Sequence, residues 1–230
     1  MQLHCHHIYY TYPGASRPVF SDLSMEIDEP GFHSLFGPSG VGKTSLAAII
    51  TGTCSDFEGE IVKRDISTSL YAYNLERLPG WSNIQAHLDK VTPPEKESLK
   101  QELIDVFGLA ECLDHRFSQL SLGQKNRVNV IRYLLQDFEL LIMDECLANV
   151  DEKKRGEIII EIKKLFPDRL FLYISHNVVE VSKYCRDIFV LRDIDKSPQT
   201  IMVNGQDQFT TEASGTGDLG RTMLEIMNAA

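Results

Sequence analysis

The chain has no run of 18 uninterrupted apolar residues, which excludes a membrane-spanning helix. It also lacks an excess of positive charge: 23 Lys and Arg stand against 33 Asp and Glu, for a net charge of −10. That balance argues against a nucleic-acid coat or a polybasic membrane anchor, so no nucleic-acid partner is expected. Any anionic ligand needs a local basic site, because the molecule as a whole repels it. The opening MQLHCHHIYY has neither the basic start nor the apolar run of a secretory signal. Cysteine is scarce and odd in number, with five scattered residues, a pattern of reduced thiols rather than a disulfide framework. Both features predict a cytoplasmic location. There is one tryptophan, Trp81, and neither an internal repeat nor a low-complexity tract. What is present is ordinary for a globular protein: 230 residues, 43% apolar and 24% charged, enough for one large domain or a core with an inserted subdomain.

Apolar periodicity predicts an α/β fold. LHCHHIYYTYP and FSDLSMEID read as strands, and FHSLFG is a short apolar strand that runs into glycines. KTSLAAIITG is helical and stops at Gly52. A second strand pair follows, GEIVKR and ISTSLYAY. From 83 to 117 the pattern is helical, broken at Pro93 and Pro94, and a third helix runs from Ser121 to about Gln136. FELLIMD is a continuous apolar run of the kind buried on both faces of a parallel sheet. The helix KKRGEIIIEIKKLF, strand LFLYIS, helix VVEVSKYC and strand DIFVLRD complete the alternation expected of a parallel-sheet core. The expected division is a core in two parts, 1–75 and 121–195, around a helical subdomain at 76–120. A tail at 196–230 is polar and partly mobile, with a short helix whose apolar side is Leu219, Met223, Leu224 and Met227. HCHH at 4–7 has metal-ligand residue types, but consecutive strand residues point to opposite faces. The four cannot all converge on one ion, and the segment is read as a strand.

GPSGVGKT, residues 37–44, fits G-x-x-x-x-G-K-[ST] between a predicted strand and a predicted helix. Gly37, Gly40 and Gly42 let the backbone bend so that the N–H groups of Gly37, Pro38, Ser39, Gly40, Val41, Gly42, Lys43, Thr44 and Ser45 (Pro38 lacking one) can cradle phosphates at a helix N-terminus. Lys43 would reach the terminal phosphates and the Thr44 hydroxyl would ligate Mg²⁺. LLIMDE sets Asp144 and Glu145 at a strand end. Asp144 would hold the Mg²⁺ shell and Glu145 would polarise an attacking water. A third acid, Asp151, follows in LANVDEKK.

QLSLGQKNRV, residues 119–128, resembles the L-S-G-G-Q signature of ATP-binding cassette (ABC) proteins. The phosphate loop, the signature at Leu120, Ser121, Leu122, Gly123 and Gln124, the acidic strand, the Asp151 turn and a histidine in YISH come in that family's order over roughly residues 3–195. The resemblance implies a phosphate-loop NTPase core with a parallel sheet, N-terminal antiparallel strands and an inserted helical subdomain. It implies ATP and Mg²⁺ as ligands, ATP hydrolysis, and a head-to-tail homodimer or heterodimer. In that pair Ser121 and Gly123 contact the γ-phosphate of the partner's ATP. Tyr12 matches the aromatic that stacks on adenine, His176 the switch histidine, and Asp151 the aspartate that crosses the dimer interface. The implied partner is a separate transmembrane permease subunit, with a substrate-binding protein if the system imports. The chain would then sit on the cytoplasmic face of the membrane.

Three positions depart from the family pattern. Asn74 stands where a glutamine ligates Mg²⁺; it is one methylene shorter, so a bridging water is expected there. Leu122 replaces the first signature glycine and is expected in helical backbone. Cys146 replaces a proline after Glu145. LERLPGWSNIQAHL resembles the groove segment of nitrate, sulfonate and taurine importers, with Trp81 as a groove residue or, alternatively, a core residue. Two other readings are a soluble ABC ATPase outside transport and a regulatory module that binds ATP with little turnover. A GTPase is disfavoured because no N-K-x-D motif is present.

Overall fold

The computed structural model describes residues 1–74, 76, 77, 80–210 and 216–230. Three N-terminal strands and the parallel core fold as the alternation predicts. β1 (Gln2–Tyr10), β2 (Phe20–Ile27) and β4 (Glu58–Arg64) form an antiparallel sheet in the order β2-β1-β4. A second sheet has the order β5-β6-β7-β3-β8-β9, from β5 (Ser69–Tyr73), β6 (Leu140–Asp144), β7 (Leu170–Ile174), β3 (Gly31–Phe36), β8 (Asp187–Leu191) and β9 (Thr200–Asn204). Its first five strands are parallel, and β9 pairs antiparallel to β8. GEIVKR and ISTSLYAY are therefore strands but not a pair. β4 joins β1, while β5 crosses to β6 in the other sheet.

The continuous apolar runs bury both faces by alternation. Leu140 and Ile142 of β6, with Leu170, Leu172 and Ile174 of β7, pack on α1 (Lys43–Thr51) and the antiparallel sheet. Leu141, Met143, Phe171 and Tyr173 face the opposite layer. That layer contains α4 (Leu122–Leu134), α5 (Glu152–Leu165) and α6 (Val178–Tyr184). The helical block supplies α2 (Ile84–Val91) and α3 (Glu97–Val106), whose Ile84, Leu88, Leu103 and Ile104 join the same cluster.

The tail corrects the sequence reading twice. Residues 200–204 form the edge strand of the main sheet, hidden in sequence because only Val203 of TIMVN is buried. α7 (Thr216–Ala229) does form, but it buries Thr222, Ile226 and Ala229. Of the apolar side expected for this helix, Leu219 and Met223 are half-buried, whereas Leu224 and Met227 stay 62% and 65% exposed. Spacing decides the seam: Thr222, Ile226 and Ala229 lie on one helix face. The expected mobility of 211–215 lies outside the described residues, as do Leu75, Leu78 and Pro79 of the groove segment. Trp81 is 85% exposed, which removes the core alternative.

Candidate functional site

Four parallel strands deliver the site from their carboxyl ends, the edge of an α/β sheet where ligand crevices form. β3 ends at Phe36 and opens into Gly37; β5 leads to Asn74; β6 carries Asp144 and then Glu145; β7 leads to His176. Tyr73, Asp144 and Ile174 are level in register, so the side chains just beyond them meet at one height.

The glycines of the loop are forced at two places. Gly37 has φ 154, and a Cβ there would lie 2.4 Å from the Leu191 carbonyl oxygen. Gly42 has φ 108, where a Cβ would lie 2.6 Å from both Phe20 and Val19. β2 and β8 therefore press the loop into its bend from two sides. α1 starts directly after Gly42, with no side-chain cap and no acid in its first turn. Its N–H groups and positive end are thus uncompensated by the chain, which suits a phosphate. Lys43 Nζ donates to the Gly37 and Pro38 carbonyls, both at 2.8 Å, and so lies folded over the loop. Burial pulls the Lys43 ammonium below the ordinary lysine value, against the raising pull of Glu145 and Asp144.

The acids take different positions, because Asp144 is the last residue of β6 and Glu145 turns out of the strand just after it. Asp144 Oδ2 accepts from Thr44 Oγ1 at 2.8 Å and from the Tyr71 hydroxyl at 2.7 Å. Burial and the bond to Asp144 raise the Tyr71 phenol well above its ordinary value, which keeps it a donor. Glu145 has φ 51, left-handed backbone that is uncommon for a residue with a side chain. Its carboxylate lies 3.2 Å from His176 Nδ1. Tyr12, half exposed, hydrogen-bonds Ser45 through its hydroxyl and sets its ring edge-on to Tyr10 at 5.2 Å.

A cavity of about 540 Å³ joins these groups, lined by Tyr12, the loop, Thr44, Tyr71, Asn74, Asp144 and Glu145. That volume is in the range of nucleotide-sized ligands. The donor set fits ATP with a divalent cation: an uncapped helix start, one ammonium, one hydroxyl and one carboxylate within reach of each other. Asn74 lines the cavity, but its amide oxygen is engaged. It accepts from Asn126 of α4 at 2.8 Å and from Asn149 at 3.5 Å. As placed, it ties three segments together rather than presenting a free metal ligand.

The signature lies elsewhere. Ser121 caps α4, with Gln124 answering its backbone N–H at 2.8 Å, a reciprocal capping box. Leu122 opens α4 in helical backbone, as expected, with its side chain exposed. A Cβ on Gly123 would lie 2.3 Å from the Asn149 carbonyl, so this glycine lets α4 touch the LANVD turn. None of residues 120–124 lines the 540 Å³ cavity; Leu122 borders a second one of about 370 Å³ with Glu76, Arg77 and Gly80. Asp151 caps α5, accepting from the Lys153 and Lys154 N–H groups at 3.0 and 3.3 Å.

Sequence reasoning missed the supports. Arg155 and Glu180 form a buried ion pair, 13% and 5% exposed, between α5 and α6. Glu180 also accepts from the Tyr173 hydroxyl at 2.6 Å and from Ser175 Oγ at 3.1 Å. Ser175 Oγ in turn accepts from the Asn177 N–H at 3.1 Å, which fixes both neighbours of His176. The one available signal was a lone acid inside the apolar stretch VVEV. Tyr71 had none, since a tyrosine in a strand reads as packing.

The ABC transporter family pattern matches residues 20–148, more than half of the chain. The xylose/arabinose import ATP-binding protein XacJ of Haloferax volcanii is 31% identical over 75% of this chain and 50% of its own length. The molybdenum import ATP-binding protein ModC of Saccharophagus degradans is 29% identical over 94% of this chain and 63% of its own. The chain thus spans about half to two thirds of the curated relatives it matches. Among solved structures, a bacterial Atm1-family ABC exporter with ATP bound superposes with a TM-score of 0.74 at 18% identity, over 99% of this chain and 41% of that one. The dimeric, post-hydrolysis ATP-binding cassette MJ0796 bound to ADP and Pi gives 0.70 at 20%, over 84% and 95%. At these identities the superpositions establish a shared fold, and with the family match and the assembled cavity they lead to one conclusion: the chain belongs to the ABC transporter family, as an ABC ATPase domain.

Proposed function

We propose that the chain binds and hydrolyses ATP as the motor subunit of a transporter, pairing head-to-tail on ATP and driving a separate transmembrane permease. The observation that carries this is the division of labour in one chain. The loop, Thr44, Asp144 and Glu145 share a cavity that the signature does not enter. A signature outside that cavity, with its own helix start at Ser121, supports a site completed by another copy.

In this reading the adenine rests on the exposed face of Tyr12, and the loop N–H groups and Lys43 hold the β- and γ-phosphates. Nucleotide draws Lys43 away from the Gly37 and Pro38 carbonyls. Thr44 and Asp144 would hold Mg²⁺, which neutralises phosphate charge when bound. Glu145 accepts the proton of the attacking water, and His176 orients that carboxylate and reaches the γ-phosphate. Ser121 and Gly123 of the partner copy add donors to the same phosphate. Residues 76–120 would move as a helical unit over the core. The groove bordered by Glu76, Arg77, Gly80, Phe117 and Leu122 is where a permease segment would dock, and the exposed Trp81 follows Gly80 in the chain.

Import is the direction favoured, because the relatives above carry sugar and molybdenum import names; a substrate-binding protein would then complete the system. Those names do not extend the resemblance to nitrate, sulfonate and taurine importers. ATP-dependent dimerisation by light scattering, with phosphate release on the same sample, tests the core of the proposal. A chain that binds no ATP, or that turns it over as a monomer at full rate, would overturn it.

Asp151 separates two roles. As helix cap it is worth about 1 kcal/mol, and Asp151→Asn keeps that cap while removing the charge. We expect Asp151→Asn to retain the melting temperature and weaken ATP-dependent dimerisation several-fold, whereas Asp151→Ala loses both. Unchanged dimerisation in both variants would reduce Asp151 to a cap.

A further inference from the structure

We propose that the outer face of the N-terminal sheet carries a divalent-metal site, formed by His4, His6 and Glu26, that takes Zn²⁺ or a similar imidazole-seeking ion. It is separate from the ATP cavity and independent of the proposed function. The alternation that keeps the four residues of HCHH apart also brings two of them together. Cys5 points into the core and is fully buried. His7 sits at a bulge with φ 52 and turns its Nδ1 to Asp22 at 2.6 Å. His4 and His6, two residues apart on the central strand β1, share the opposite face.

Register supplies the acid. His4 is paired with Glu26 of β2, and His6 with Glu60 of β4, so both imidazoles are flanked by carboxylates of neighbouring strands. One ligand atom from each of His4, His6 and Glu26 lies within 4.8 Å of the other two. His6 Nδ1 and Glu26 Oε1 are already 3.7 Å apart. Zinc bonds of about 2.0–2.1 Å place tetrahedral ligand atoms roughly 3.3 Å apart, so closure needs only small rotamer changes. The imidazoles are 16% and 32% exposed, which leaves an ion shielded on the protein side and open to water on the other.

An orienting group is also in place. Asp28 Oδ1 accepts from His4 Nε2 at 2.9 Å, and Gln2 Nε2 holds the same oxygen at 3.1 Å. A carboxylate on one ring nitrogen fixes the tautomer and raises the basicity of the other, as in the supports of known metal-bound histidines. Two imidazoles and one carboxylate with a free position favour zinc, copper or nickel over magnesium or calcium. A bound ion would clasp β2 to β1, the strand that continues to Tyr12.

The test uses the full chain without a histidine tag or nucleotide, titrated with Co²⁺ by visible absorption and with Zn²⁺ by calorimetry. We expect one equivalent per chain, four- or five-coordinate cobalt bands without a thiolate charge-transfer band, and a rise in melting temperature with Zn²⁺. His4→Ala and His6→Ala should each weaken binding by about 100-fold or more, and Asp28→Asn by about 10-fold. His7→Ala should bind like the wild type. Each position is at the surface, and unchanged far-ultraviolet circular dichroism verifies folding. No saturable equivalent, or binding that survives loss of both histidines but disappears in Asp144→Asn, would overturn the proposal.

Discussion

Glu145→Gln should lower ATP turnover by about 10²–10⁴-fold, the range for removing a general base, while nucleotide binding persists. The substitution is nearly isosteric, so the special backbone at this position is left alone. Glu145 sits at φ 51 with its N–H bonded to the Ile174 carbonyl at 3.0 Å and its carbonyl accepting from Ala148 at 3.1 Å. Such backbone costs on the order of 1–3 kcal/mol and persists where the surroundings hold it in place. Here it swings the carboxylate out of the strand line toward His176, away from the Thr44–Asp144 pair. An amide at this place can still bond His176 but cannot accept a proton from water. Phosphate release at saturating ATP, with fluorescent-nucleotide titration alongside, separates chemistry from binding. If the chain pairs on ATP as proposed, the ATP-bound dimer should also last longer. A loss of less than tenfold would remove Glu145 from the role of base and favour the low-turnover reading of the chain.

Glu180→Ala should destabilise the fold by about 3–5 kcal/mol, the cost of leaving one member of a buried pair alone. The group at risk is Arg155, which sits under α6 with its guanidinium also donating to the Leu147 carbonyl at 3.3 Å. Tyr173 and Ser175 lose their acceptor in the same step. Removing both charges together, in Arg155→Met with Glu180→Leu, should recover part of the loss, because burying two charges is itself unfavourable, while Tyr173 and Ser175 still lack their acceptor. Urea unfolding of the two variants beside the wild type checks the set. A single variant within 1 kcal/mol of the wild type would mean that water reaches the pair. The double variant, though folded, should turn over ATP slowly, since Glu180 no longer anchors Ser175, the residue just before His176.

The parts of this protein that follow one-dimensional rules were readable in advance. FELLIMD and LFLYIS were legible as central strands because burial on both faces makes 140–143 and Leu170–Ile174 continuous apolar runs between polar ends. The phosphate loop was legible because its glycines answer to backbone geometry, as the 2.4 Å approach of the Leu191 carbonyl at Gly37 makes explicit. TIMVN was not, because an edge strand exposed on most of its length has no contrast with a polar tail. α7 was read as helix, but its orientation depended on what it packs against. Thr222 and Ala229 became its buried face through contact with α6 and β9, which no local pattern encodes. The same holds at the site. Asp144 ends β6 and is placed by the strand, and Glu145 follows it in left-handed backbone, whereas Tyr71, Asn126 and Glu180 act through partners 73, 52 and 5 to 7 residues away.

The amide oxygen of Asn74 has a consequence for how two copies would behave. It receives Asn126 from the signature helix and Asn149 from the turn after Glu145, and the Asn74 N–H is bonded to the Asp144 carbonyl at 3.0 Å. One small side chain therefore joins the strand that carries the metal-side acid to the surface offered to the other copy. In the proposed dimer, filling one cavity would shift the signature that completes its twin. Two sites wired in this way are not independent reporters of ATP concentration. The dimer would answer ATP sigmoidally, with a Hill coefficient approaching 2, and Asn74→Ala would return that response toward a hyperbola.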